Sequence, residues 1–472
     1  MTDVTRFGLL VGLVSGGMLL AVVSNRLSER VRIPAPAIFL VVAAIVSDLV
    51  PSLQHIPIQT SQRIVTVALV VVLFDGGMHI GRRRFRSAAG AIAWLGVVGT
   101  FATTGAIALV VHYLFHLDWL SSFLIGTALA PTDPATVFSV LGRREIAGRS
   151  GVLLEGEAGA NDPVGIALMA SLLTADTNGA EEFLREMLVG GVLGVAAGVF
   201  LAKLMRRVAL PSGALYPLFT LAAAGIIYGA TTVLHGSGFL AVFVAGIMVG
   251  DVRAPYKAEI ERFHASLANL GEITAFTVLG LTISVHSLVH SSALWLGLLL
   301  AVVLTFVIRP VLVGALLLPI RLRWGERAFI GWAGLKGAVP ILLGTFVFAA
   351  DVSDPTRLYQ IIVVVVAFSV IVQGGLVPVV ARRTGVPMRT VEPEPWSLGV
   401  RFQREPDGLH RYVIATGAPA DGAAVADLPL GEDSWISLVS RNGELVRVRG
   451  DTVLQAGDEV VLLGEPSSLF ET

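Results

Sequence analysis

Six acidic residues fall inside long apolar stretches of this sequence: Asp75, Asp133, Glu155, Glu157, Asp162 and Glu272. Two basic residues, Arg309 and Lys336, do the same. Charges in hydrocarbon are costly, and they mark ion paths, proton relays or buried pairs. The chemistry on offer is ion exchange. A carboxylate deprived of water takes up a proton near neutrality, and a monovalent cation can occupy the same oxygens once the proton leaves. Gly156-Glu157-Ala158-Gly159-Ala160-Asn161-Asp162-Pro163 holds the densest set. At 1.5 Å per residue, Asp162 lies ~20 Å along a helix from the boundary residue Arg149, near the membrane midplane. Glu157 and Asn161 share one helix face and Glu155 and Asp162 another, which places Glu155 on the inner approach. Glu157 is the natural partner for a buried arginine.

Two further clusters are built to interrupt helices. Pro131-Thr132-Asp133-Pro134 sets two prolines three residues apart, removing backbone donors and crowding the preceding turn. Gly334-Leu335-Lys336-Gly337-Ala338-Val339-Pro340 surrounds a lone lysine with glycines and a proline. Broken helices at membrane depth are tolerated where they line a polar cavity, and their half-helix ends can bind ions. Asp133 and Lys336 can balance the four half-helix ends where two such helices cross. Phe74-Asp75-Gly76-Gly77 either adds a carboxylate to the cavity or pairs with Arg82. Glu272 has no evident partner in the sequence.

The elements that position these residues follow from composition. The chain has 472 residues, 54% hydrophobic and only 15% charged. Its mean hydropathy is +0.77. Disorder is excluded, as are disulfides, thiolate chemistry and cysteine metal sites, because there is no cysteine. A net charge of −1 gives no case for a nucleic-acid partner. Thirteen apolar stretches, beginning with 6–24 and ending with 358–382, are each long enough for a ~30 Å hydrocarbon core. Basic residues crowd alternate loops, among them Arg82/Arg83/Arg84/Arg86 and Arg143/Arg144/Arg149. The opposite loops carry only Arg6, Arg63, Arg185 and Arg357. The N-terminus is therefore expected outside and the C-terminus in the cytoplasm.

The expected fold is an all-α polytopic membrane protein of thirteen transmembrane helices, with two broken helices crossing. Spans 1–6 and 8–13 are read as inverted repeats with span seven as connector. Residues 1–383 form the membrane domain and the proline-bearing 384–403 a linker. Residues 404–472 form a small α+β cytoplasmic domain. Its strands are expected at Tyr412–Thr416, Trp435–Ser440, Glu444–Arg449 and Glu459–Leu463, with a hairpin turn at Asn442-Gly443 and a short helix at Ala423–Leu428. So small a domain is marginal alone and suits a dimeriser.

Gly156-Glu157-x-x-x-Asn161-Asp162, Thr132-Asp133-Pro134, Arg309-Pro310 and the Gly334–Pro340 run resemble the cation:proton antiporter-1 family of sodium/proton and potassium/proton exchangers. The tail, through Asp451-Thr452-Val453-Leu454-x-x-Gly457-Asp458, resembles the TrkA-C regulatory domain. The resemblance implies a potassium/proton or sodium/proton antiporter of the inner cell membrane, homodimeric, and not an enzyme. It implies Asp162 as alternating proton and cation carrier beside Asn161, with Thr132 and Asp133 at the crossover and Glu157–Arg309 as a structural ion pair. The Asn-Asp form implies electroneutral one-for-one exchange. Lys336 departs from the arginine of many relatives, and Asp75 matches a position acidic in only some. No cofactor or metal is implied beyond the transported cation at Asp162. For the tail, a small-molecule regulator such as a nucleotide is implied. Two rival classes are a gated cation channel and an intramembrane aspartyl protease. No Thr-Val-Gly-Tyr-Gly-like filter occurs to support the channel, and Met248-Val249-Gly250-Asp251 lacks the first glycine a Gly-x-Gly-Asp protease element needs.

Overall fold

The computed structural model describes residues 34–49, 57–141, 144–146, 148–174, 178–390, 408–431, 434–441, 444–464 and 468–470. The first expected span, 6–24, lies outside them, as does most of the expected linker. The chain divides into two compact units, Met1–Pro393 and Glu394–Thr472.

Among the described residues the first unit consists of helices between Ala35 and Thr384, joined by short loops and unwound segments, and one short ribbon. Among the described residues, six helical stretches are long and apolar enough to cross a membrane by length and composition. They are Ile58–Phe115, Trp119–Leu141, Gly179–Arg207, Leu215–Val233, Ser292–Leu316 and Pro355–Thr384. Ala35–Leu49, Gly238–Gly250 and Ala338–Ala349 are shorter apolar helices. The acid-bearing helices Gly148–Leu173 and Lys257–Leu281 are not among the six. Ile58–Phe115 is not one rod: Gly81 adopts φ 67°, ψ 162°, a left-handed value that favours glycine and splits the run into two arms. The packing depends on small residues. Gly77 lies against the backbone of Phe243 and Ile247, so a side chain there would hold two helices apart.

Both proline- and glycine-rich clusters interrupt helices. One helix stops at Leu129 and resumes at Pro134; another stops at Trp332 and resumes at Ala338. The helical stretch before each broken helix contains a π-turn, at Trp94–Val98 within Ile58–Phe115 and at Leu304–Ile308 within Ser292–Leu316. A third π-turn, Ser369–Gln373, follows the second break. Each takes an extra residue into one turn and rotates the face beyond it.

Strand β1 (Arg144–Ile146) pairs antiparallel with β2 (Met388–Thr390). The beginning of the expected linker is thus paired with the loop ahead of Gly148–Leu173.

The second unit holds a four-stranded antiparallel sheet of β3 (Leu409–Val413), β4 (Trp435–Arg441), β5 (Glu444–Val446) and β6 (Glu459–Leu463), in the order β3-β6-β4-β5. Ile414, Leu428, Val439, Val460, Leu462 and Phe470 form its core. The Asn442-Gly443 turn lies outside the described residues, though Arg441 and Glu444 on either side of it are paired. The helix expected at Ala423–Leu428 is only a 3-10 turn, Val425–Asp427. Its backbone is otherwise engaged: Val425 and Ala426 donate to the carbonyls of Thr452 and Gly450. The first strand starts at Leu409, earlier than expected, and the strand from Glu444 ends at Val446.

Candidate functional site

The two broken helices meet through their unwound segments. Asp133 donates its backbone N–H to the Leu335 carbonyl at 2.8 Å. Lys336, 2% exposed, donates its ammonium to the carbonyls of Ala130 and Pro131, both at 3.2 Å. These are the free carbonyls at the negative end of Trp119–Leu129. A Cβ on Gly337 would overlap the Asp133 carboxylate, so the two segments can approach this closely only with glycine there. Asp133 itself is engaged. Its Oδ1 accepts from Ala135 N at 2.9 Å and its Oδ2 from the Thr136 hydroxyl at 2.7 Å, capping the resumed helix Pro134–Leu141.

Asn161 ties the first break to the acidic helix. Its amide donates to Thr132 Oγ1 at 2.8 Å, and its Oδ1 accepts from Thr132 N at 3.3 Å. With Asn161 2% and Thr132 6% exposed, water does not compete for these bonds.

Five residues before Asp162, Glu157 is neutralised. Arg309 Nη2 donates to Glu157 Oε1 at 3.2 Å, with both side chains buried. Arg309 also donates through Nε to Gly331 O at 3.1 Å and through Nη2 to Ile330 O at 3.4 Å. It therefore satisfies the carbonyl end of Trp324–Trp332 as well as the acid. A side chain at Gly334 would overlap the guanidinium.

Asp162 differs from Asp133 and Glu157, the acids at the crossing that accept hydrogen bonds. It is half-buried, and among the described residues no group hydrogen-bonds its carboxylate. Its charged neighbours are Asp133 and Lys336. A carboxylate beside two unwound helices, with a threonine, an asparagine and another carboxylate nearby, offers oxygens for a dehydrated monovalent cation or for a proton. Among the described residues, no group of three or more His, Asp or Glu is arranged to hold a resident metal.

Two acids fall elsewhere. Asp75 has His79, Glu261 and Lys257 as charged neighbours, so the described contacts link it to the start of Lys257–Leu281 rather than to Asp162 or Arg82. Glu155 lies 3.7 Å from Arg84, half-exposed. Glu272, which the sequence left unexplained, has Asp133 as its charged neighbour, and its Oε1 is buried without a hydrogen bond. Its place at the crossing had no local signal, because an isolated acid in an apolar helix does not reveal which face it occupies.

Unwound half-helices that meet around Lys336, with Asp162 and Glu272 carrying no hydrogen bond among the described residues, suit the exchange of a monovalent cation for a proton. The chain belongs to the sodium/hydrogen exchanger family: the family's transmembrane model matches residues 17–383, and a TrkA-C domain model matches 409–471. It is 32% identical over 459 residues to a K(+)/H(+) antiporter NhaP of Alkalimonas amylolytica, covering 94% of this chain and 79% of that one. A K(+)/H(+) antiporter NhaP2 of Shewanella oneidensis is 31% identical, covering 96% of this chain and 81% of that one. The solved sodium proton antiporter MjNhaP1 of Methanocaldococcus jannaschii shares the fold, with a TM-score of 0.67 at 20% identity over 80% of this chain and 98% of that one.

Proposed function

We propose that the protein exchanges potassium for protons across the inner cell membrane, with Asp162 as the shared carrier. The unengaged Asp162 carboxylate between two helix breaks is the observation that carries this reading. Asp162 holds either a proton or a cation, the latter also coordinated by oxygens of Thr132 and Asp133. Since one charge is carried in either case, exchange is one-for-one and electroneutral, and the gradient of one ion drives the other. Potassium is favoured over sodium because the relatives similar over nearly the whole chain are named K(+)/H(+) antiporters. Glu157 and Arg309 act as a fixed structural pair, because Arg309 neutralises the buried acid through one of its oxygens and also holds a helix end.

The same reading includes thirteen spans related as inverted repeats, with the N-terminus outside and the C-terminal unit in the cytoplasm. The matching order of π-turn and helix break in 94–133 and 304–337 supports the repeat. The membrane domain ends near 383, the linker near 403, and residues 404–472 serve as a regulatory dimeriser that responds to a small molecule such as a nucleotide.

The test is proton flux in proteoliposomes holding purified protein, driven by potassium or sodium gradients. Exchange that saturates with potassium, is indifferent to membrane voltage and is absent in Asp162→Asn supports the proposal. An Asp162→Asn protein with wild-type exchange would falsify the carrier role, and large unitary currents would favour a channel.

A further inference from the structure

A chain of buried hydrogen bonds leads from the second break to a residue outside the acid cluster. Lys336 donates its backbone N–H to Ser369 Oγ at 3.0 Å. The Ser369 hydroxyl donates to Gln373 Oε1 at 3.0 Å, and the Thr305 hydroxyl reaches the same oxygen at 3.4 Å. Gln373 Nε2 donates to the Trp332 carbonyl at 2.6 Å, and the Trp332 indole N–H donates back to the Gln373 carbonyl at 3.3 Å. The Gln373 side chain therefore spans the break. Trp332 ends the helix before it, and Lys336 lies in the unwound stretch beyond. Thr305, Ser369 and Gln373 are 6%, 2% and 3% exposed, which excludes water as a substitute partner.

Two π-turns bring this network together. Ser369 and Gln373 are the first and last residues of one, and Thr305 lies in another. A π-turn commonly marks a functional position because it re-aims side chains that a regular helix would direct elsewhere. Here it directs a serine and a glutamine at the main chain on either side of Lys336.

We propose that Gln373 is a positioning residue for cation exchange: through Ser369 and Trp332 it holds Lys336 on the carbonyls of Ala130 and Pro131 and away from the carboxylate of Asp162. The inference rests on the reading of Asp162 as carrier. Among the described residues Lys336 is the cationic neighbour of Asp162, so its placement decides whether an ammonium competes for the carrier. Glu157 and Asp162 are the acidic neighbours of Lys336, and Glu157 is already paired with Arg309, so a lysine released from the Ala130 and Pro131 carbonyls is left with Asp162, where an ammonium occupies the oxygens that the transported cation needs. A loosened clasp therefore weakens apparent cation binding more than it slows turnover. A residue with only a packing role would reduce folded protein and maximal rate instead.

The experiment titrates potassium-driven proton flux by the full-length protein in proteoliposomes. Gln373→Met keeps length and apolar bulk but removes the amide; the expected result is an apparent KM for potassium raised about tenfold, with maximal rate much less changed. Ser369→Ala cuts the link to Lys336 but leaves the Gln373–Trp332 bonds, and the same rise in KM is expected. In a Lys336→Met background, Gln373→Met should add nothing, because no ammonium remains to be misplaced. Where that background transports too slowly to titrate, the potassium-induced rise in melting temperature reports the same affinity. A wild-type KM in Gln373→Met and Ser369→Ala overturns the proposal, as does a Gln373→Met effect that persists in full without Lys336. If Gln373→Met fails to fold, Ser369→Ala decides alone. Exchange retained in Asp162→Asn overturns the carrier reading instead, whereas normal KM in the clasp variants leaves that reading standing.

Discussion

The two helix breaks are made alike and finished differently. In each, a cationic side chain covers the carbonyl end of the stopped helix: Lys336 at Ala130 and Pro131, Arg309 at Ile330 and Gly331. Arg309 is also paired with Glu157, so at the second break the added cation is fully compensated. At the first break, among the described residues, no carboxylate lies within salt-bridge distance of Lys336, and its acidic neighbours are Glu157 and Asp162 through space. Asp133 is taken up in capping a helix. One break is electrically closed and holds the helices in place. The other leaves an acid and a cation near each other without joining them. On the proposed reading, stability and exchange are thus divided between the two ends of the 157–162 segment in the middle of the helix Gly148–Leu173, at Glu157 and Asp162.

That division can be broken by experiment. The largest effect is expected from Asp162→Asn, with cation-driven exchange reduced at least ~100-fold while yield and melting stay at wild type. Arg309→Met should do the reverse in kind, destabilising the fold by about 3–5 kcal/mol because Glu157 is left as a buried, unpaired charge. Size-exclusion profile and melting temperature check it, and a stable but inactive Arg309→Met protein would remove the distinction between the two ends. Next comes Asn161→Leu, which severs both bonds to Thr132. A loss of about 1–2 kcal/mol in cation binding, roughly tenfold in KM, is expected, and Thr132→Val should lose less because its backbone bond survives.

The smallest effect lies in the second unit, where a partly exposed arginine, Arg441, pairs with a buried carboxylate, Asp458. Arg441 donates to both oxygens of Asp458, at 2.8 and 2.7 Å, and holds that carboxyl below its ordinary range. A carboxyl lowered in the folded state adds stability that is present above about pH 4 and lost as pH falls through the folded value. Protease release of the tail should accelerate below about pH 4 in the wild type. In Asp458→Asn that acid sensitivity should shrink, with a cost at neutral pH under about 2 kcal/mol. An unchanged acid profile would assign the sensitivity to other carboxyls.

Much of the site was legible because prolines, glycines and buried charges are conspicuous in an apolar sequence. Pro131 and Pro134 located one break, and Gly334, Gly337 and Pro340 the other. Six apolar helices satisfy length and composition among the described residues, against the thirteen read from hydropathy. Direction was less accessible. Where every position is apolar, a helix has no amphipathic face to orient its polar residues. So the sequence did not reveal that Asp75 turns toward Lys257 and Glu261, or that Glu272 neighbours Asp133. Nor did it reveal the π-turns, which leave no compositional trace, and hence the bonds that Gln373 makes. In the tail, Ala423–Leu428 looked helical by propensity, but its amides serve Gly450 and Thr452 across the unit, and tertiary pairing overrode the local preference.

The ribbon of Met388–Thr390 with Arg144–Ile146 changes where the protein can be cut. A truncation at 383, where the family's transmembrane match ends, removes more than the C-terminal unit. It strips from the loop that feeds Gly148–Leu173 the strand with which it pairs, leaving those amides and carbonyls without that ladder beside the helix that bears Asp162. A deletion that ends after 390 leaves the ribbon whole. The two truncations, seven residues apart, separate the contribution of the tail from that of the strand it leaves behind.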